Sequence, residues 1–210
     1  MNKTVLFTES LKMLQEIKYE ISKSNLMDCG PRLELVEQCI NISIEHSIGV
    51  NLLLSTDLTM QGMVLLRAQF EAVVRAYWLM FIAENSEISV LNFSWTLEEQ
   101  YLNPKIPMAH DMLELLLKAN LDAHGIILQL KEFKEINLKV LHSFVHTGKH
   151  AFTRQQIGFD ENLVIQLMRI SNNLTSTAAQ LLLYHSVPNN QKFISSITYK
   201  YKSCFTLLNS

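Results

Sequence analysis

Residues 60–84, MQGMVLLRAQFEAVVRAYWLMFIAE, form the longest stretch dominated by apolar side chains. Three charges interrupt it, Arg67, Glu71 and Arg75, each four residues after the last. A segment of this length is either a core helix or a membrane span. The charges exclude the span, because no run of ~18 uncharged apolar residues remains. At about 100° per residue the three charges fall within one arc of ~80°, shared with Val64 and Trp78. The opposite side carries Leu65, Gln69, Ala72, Ala76 and Ala83, mostly small, which lets another backbone approach closely. A helix apolar nearly all round is buried nearly all round. The rest of the chain is therefore expected to wrap around this one.

The composition agrees. With 48% hydrophobic and 18% charged residues, and only 6 Gly and 4 Pro in 210, the chain reads as one core-rich domain of long helices. The fold class expected is all-α, a single-domain bundle of about six to eight helices. Residues 1–210 form the domain, with a core over 31–187 and a tail over 188–210. A formal net charge of −2 supplies no global basic field for nucleic acid or membrane. Cys29, Cys39 and Cys204 lack metal or redox spacing and suit reduced thiols in a cytoplasmic protein. The N-terminus, MNKTVLFTESLKM, lacks the apolar core of a signal peptide.

Outward from the central helix, Leu11, Leu14, Ile17 and Ile21 mark an amphipathic helix over Thr8–Ser24. Gly30-Pro31 opens a second, with Leu33, Val36, Ile40, Ile44 and Ile48 at helical spacing and Val50–Leu54 as its continuation. Ser55, Thr56, Asp57 and Thr59 are candidate caps for the central helix. Asn85–Glu99, with Trp95, is less regular, and Pro104 and Pro107 mark a loop. A short helix follows over Met108–Lys118. The next is expected over Ala123–Thr147, with Asp122 as cap and Gly148 as stop. Phe152–Gly158 reads as a connector. Asp160 caps a last long helix, Glu161–Ser186, ended by Pro188-Asn189-Asn190. In the tail, Phe193, Ile197, Tyr201, Cys204 and Leu208 favour helix over strand.

Three constellations can carry chemistry. Arg67, Glu71 and Arg75 form a buried ion-pair lock, a pocket wall from which an arginine reaches an anionic ligand, or an exposed stripe. His142, His146 and His150 are spaced by four, a metal-compatible interval without the protease H-E-x-x-H form. On a regular wheel His142 and His146 lie beside Glu135 and Lys139, away from Phe133, Leu130, Leu141 and Phe144. That position turns them to water, a groove or a partner chain, and leaves open whether they share a cleft with the Arg67 stripe. Lys149–Arg154, with Lys139 and the histidines, is the best local basic patch, suited to phosphate or to solvation at a helix C-terminus. Glycine-rich nucleotide loops and G-x-S-x-G are absent, and no motif calls for a cofactor.

The segments L-L-R-x-x-F-E-A (Leu65–Ala72) and H-S-F-V-H-T-G (His142–Gly148) resemble bacterial all-helical families of unknown function related in shape to HEPN domains. That resemblance spans residues 60–148. It implies a HEPN-like bundle of the kind found in toxin–antitoxin, RNA-processing and phage-defence systems, with a homodimer, RNA or a protein as partner. Many HEPN ribonucleases use R-x4–6-H. Here the motif would end at His146, but Lys139 stands where the Arg is expected and Ser143 where Asn or Asp often follows. The leading expectation is a non-catalytic binding module with Arg67, Glu71, Arg75 and Arg154 as ligand contacts. Two alternatives stand beside it: a metal-independent ribonuclease using His146 with His142 and Lys139, and a metal site of His142 and His146 completed by Glu71.

Overall fold

In a computed structural model, residues 2–26, 30–92, 106–187 and 190–206 are described. Expectations placed on Cys29, Trp95, Pro104, Pro188, Asn189 and Leu208 lie outside these residues. The chain is all-α. Ten α-helical segments occur among the described residues: α1 Lys3–Lys23, α2 Pro31–Ser55, α3 Thr59–Phe81, α4 Asn85–Leu91, α5 Ala109–Lys118, α6 His124–Phe133, α7 Lys139–Val145, α8 Lys149–Ile157, α9 Glu161–Tyr184 and α10 Gln191–Lys200. The segments exceed the expected six to eight because α4 and α8 are short and because α6 and α7 are one rod joined by a π turn, Lys134–Leu138. The tail is helical, as its spacing predicts, and closes with a 3-10 turn at Lys202–Cys204. An unanticipated two-residue antiparallel pairing, Asn25–Leu26 with Ser186–Val187, ties the end of α1 to the end of α9.

α3 is the hub. It packs along α2 and also meets α9, α5 and α7. Phe70, Val73, Val74, Ala76, Tyr77 and Trp78 are all at most 2% exposed, as a helix apolar on most sides requires. Gly49 and Gly62 make the α2–α3 seam close: a Cβ on Gly49 would lie 2.8 Å from Leu65 Cδ1, and one on Gly62 3.0 Å from Leu54 Cδ2. The core also draws on α1, whose Leu6, Met13 and Ile17 are fully buried. No helix among the described residues is long and apolar enough to cross a membrane.

The cap cluster works differently from its expectation. Leu58 holds the N-cap position of α3 and offers no side-chain bond. Ser55 and Thr56 hydroxyls instead donate back to the Leu52 carbonyl and terminate α2. Asp57 takes a left-handed turn at φ 63°. Asp122 does not cap α6, which starts after Ala123. Asp160 does cap α9, accepting from the Asn162 amide at 2.7 Å and the Leu163 amide at 3.3 Å.

A buried polar chain crosses the apolar core. Gln69 of α3 donates to the Ser171 carbonyl and Thr175 Oγ1 and accepts from Ser171 Oγ at 2.7 Å. Ser171 Oγ also meets Ser47 Oγ at 3.0 Å. Asn172 Nδ2 donates to Ser10 Oγ at 2.8 Å and to the Cys204 carbonyl at 2.9 Å, and its Oδ1 accepts from Asn51 Nδ2 at 3.4 Å. Five elements, α1, α2, α3, α9 and the C-terminal turn, are thereby locked in one register. Buried polar networks specify an arrangement that apolar packing alone leaves degenerate, and here only Asn51 Oδ1 among the network's side chains is left without a partner.

A second tie joins the two ends of the chain. Glu16 of α1 accepts from Lys200 Nζ and Tyr201 Oη, each at 2.6 Å. The Lys200 hydrogen bond, then that of Tyr201, hold the Glu16 carboxyl below its usual range. A carboxyl depressed on folding contributes stability above its unfolded pKa and loses it as pH falls through the folded one. Wild type is therefore expected to exceed Glu16→Gln in urea midpoint at about pH 6, and the gap to close by about pH 3. A gap independent of pH would remove this tie.

Candidate functional site: the α3–α7–α8 face

α7 lies against α3, and Arg67 spans the seam. Its Nε donates to Glu71 Oε1 at 2.8 Å, and its Nη1 lies 2.9 Å from His142 Nδ1. A guanidinium only donates, so Nδ1 accepts and the ring proton sits on Nε2. The His146 ring comes next, 4.3 Å from that of His142 between centroids and tilted by 49°. Arg67, Glu71, His142 and His146 thus form one continuous cluster. The Arg67 and Glu71 side chains are 22% and 39% exposed, so the pair is not a fully buried lock. Such an i,i+4 pair is worth a few tenths of a kcal/mol. Its effect is to aim the guanidinium.

On a regular wheel the histidines lie away from the core, and the structure brings His142 to Arg67. The π turn before α7 contributes to this. It adds one residue to its turn and so rotates α7 by about 100° relative to an uninterrupted helix. The length of the Arg67 side chain closes the remaining gap.

The other expected site residues divide. Lys139 is exposed one turn before His142 on α7 and forms no ion pair among the described residues. Arg75 does not join the cluster. It is exposed, and its charge is felt at Cys39, where burial pushes the thiol up to about 11 and Arg75 opposes that in part. Arg154 is half-buried: its Nη1 donates to the Gly158 carbonyl at 3.4 Å and its guanidinium lies over the Phe159 ring, 5.6 Å from the centroid. It fastens the α8–α9 turn. With His150 it also borders a cavity of about 320 Å³ floored by Leu141, Phe144 and Leu167.

The H-S-F-V-H-T-G segment is a built corner. Thr147 turns left-handed at φ 52°, and the Gly148 amide returns to the Ser143 carbonyl at 2.6 Å. A Cβ on Gly148 would lie 2.7 Å from Ser143 Oγ, so the corner needs glycine there. Ser143 Oγ accepts from the His150 amide at 3.0 Å and so caps α8 from the preceding helix. Gly148 consequently starts a helix as well as ending one, and the supposed connector Phe152–Gly158 is largely helical. Ser143→Ala is expected to destabilise the fold by about 1 kcal/mol and to speed amide exchange at His150. Unchanged exchange would show that α8 holds without this cap.

α8 buries only Ala151 completely. Phe152 is 62% and Ile157 69% exposed. From Lys139 to Phe159 the sequence contains no acidic residue, but Lys139, Lys149, Arg154 and three histidines. The exposed ring of Phe152 in that setting is the feature the connector reading missed. Its signal in the sequence was an aromatic between basic residues with no apolar partners at helical spacing.

Metal binding by His142, His146 and Glu71 finds no support in this geometry. Arg67 lies between Glu71 and His142 and takes the Nδ1 lone pair. Among the described residues no three His, Cys, Asp or Glu side chains gather as metal ligands.

A profile for the family of unknown function DUF6988 matches residues 40–207 of the chain. No curated protein and no solved structure matches it.

Proposed function

The chain belongs to DUF6988, and we propose that it is a binding module holding single-stranded RNA on the face of α7 and α8, with Arg67 at its edge. The observation that carries this reading is the acid-free run from Lys139 to Phe159 bearing a ring, Phe152, that is 62% exposed. Single-strand binders combine a basic track for phosphates with aromatic platforms for bases. Lys139, Lys149 and the outer N–H groups of Arg67 serve the first role and Phe152 the second. Glu71, the nearby acid, is already engaged by Arg67. The HEPN-like resemblance supports an RNA partner, a homodimer and a role in toxin–antitoxin or phage-defence systems.

Anisotropy of a labelled single-stranded RNA tests the reading. With three phosphate contacts at ~0.7 each, affinity is expected to fall with a log–log salt slope of about −2. Lys139→Glu with Lys149→Glu is expected to abolish binding at low salt. Equal binding by that variant, or none by wild type, would end the proposal.

Cleavage is the second reading, favoured by the adjacent rings of His142 and His146. It meets a difficulty of donors. A histidine general acid works as the doubly protonated imidazolium. The Nδ1–H of His142 would then face an Arg67 N–H. His146 as base has no comparable obstacle. The same RNA, recovered intact after incubation, supports binding alone. Scission lost in His146→Ala would replace it with a ribonuclease.

A further inference from the structure

The cavity of about 320 Å³ that Arg154 and His150 border lies where α7 and α8 meet α3 and α9. Asn137, Val140, Leu141 and Phe144 line it as a single stripe along the rod that ends in α7. At 1.5 Å per residue that stripe is about 10 Å long. Met63 of α3 and Leu163 and Leu167 of α9 complete the walls, so every wall residue but Asn137 is apolar. The two basic residues lie one turn apart on α8. The Arg154 guanidinium is at the Phe144 end of the stripe, because it sits over Phe159, whose ring centroid is 6.1 Å from that of Phe144. Its bond to the Gly158 carbonyl, at 3.4 Å, is long for N–H···O and takes one of five N–H groups. Among the described residues no carboxylate lines the cavity.

We propose that this cavity binds a medium-chain carboxylate, with its head on Arg154 and His150 and its tail along the stripe towards Asn137. A guanidinium fork matches the two oxygens of a carboxylate. His150 carries at least one N–H donor in either charge state. The walls suit a tail without polar edges. A nucleobase in the same place would strand most of its ring nitrogens and exocyclic groups, because Asn137 is the one uncharged polar side chain in the lining. Asn137 also bounds the tail, since a chain longer than about 10 Å meets an amide at that end. The site stands apart from the RNA-binding reading: none of Lys139, Lys149, Phe152 and Arg67 lines it.

Butyrate, hexanoate, octanoate and dodecanoate are the probes, with octanol and octylammonium as matched tails, titrated calorimetrically into the full chain. Shifts of the Leu141 and Leu167 methyl resonances locate the site. Affinity is expected to rise about fourfold per methylene up to octanoate and to gain nothing further in dodecanoate. Octanoate is expected to bind about tenfold more tightly than octanol, and octylammonium more weakly than either. Arg154→Gln is expected to bring octanoate down to the octanol value while octanol binding persists. Because Arg154 also fastens the α8–α9 turn, His150→Leu, at an exposed side chain, is the second variant, expected to weaken octanoate about fivefold and leave octanol unchanged. Val140→Phe, which fills the cavity from a half-buried wall, is expected to block every probe. Far-ultraviolet circular dichroism checks that the variants fold. No octanoate binding, an affinity indifferent to tail length, a preference over octanol that survives in both Arg154→Gln and His150→Leu, or displacement of octanoate by single-stranded RNA would each overturn the assignment.

Discussion

Asn172→Leu is expected to lower the free energy of unfolding by about 2–5 kcal/mol, with the urea m-value unchanged. The side chain is fully buried, and its loss strands the Ser10 hydroxyl and the Cys204 carbonyl and leaves the Asn51 amide only its bond to the Ser47 carbonyl. Each stranded group forfeits about 1–3 kcal/mol. Leucine has the bulk to fill the space, so the missing bonds and not a cavity carry the effect. A domain of this kind holds about 5–15 kcal/mol in total, so the loss is a large share. Ser43 is the internal control. Its hydroxyl is buried with no partner already, so Ser43→Ala is expected to be neutral or slightly stabilising. A loss below about 1 kcal/mol in Asn172→Leu would mean that water replaces the missing bonds.

Phe152→Ala is expected to weaken single-stranded RNA binding by about 1–3 kcal/mol, the value of one base stacked on one ring. Thermal stability is expected to hold, since the ring is 62% exposed. The two readouts separate a contact from a structural role. Unchanged affinity would leave the basic residues as solvated charge. A fall in melting temperature matching the fall in affinity would make Phe152 part of the fold.

The parts of this architecture legible in the sequence are those governed by apolar spacing. α1, α3, α9 and the helical tail all show it, and Asp160 announces its cap by position. The polar chain was not legible. Ser and Asn within a helix ordinarily read as a solvated face, and Gln69 passed as one member of a small side although it is fully buried. Nothing local to Gln69 reports that Ser171, 102 residues away, faces it. The Arg67–His142 contact is left open by the sequence for another reason: a wheel drawn through Lys134–Leu138 assumes a helical period that the π turn breaks. α8 was missed because its cap comes from Ser143 in the previous helix, and single-position cap rules look only at the residue in front.

The joining of the two chain ends has a consequence in time. Ser10 meets Asn172 across 162 residues, and Glu16 meets Tyr201 across 185. At about 5–20 residues per second, a ribosome needs on the order of ten to forty seconds to supply those partners. During that interval α1 has α2 to pack on, but neither α9 nor the C-terminal turn. Its Leu6, Met13, Leu14 and Ile17 stripe is then only half covered on a nascent chain. α1 is made well before the partners that finish it, and it waits as a surface that chaperones can recognise.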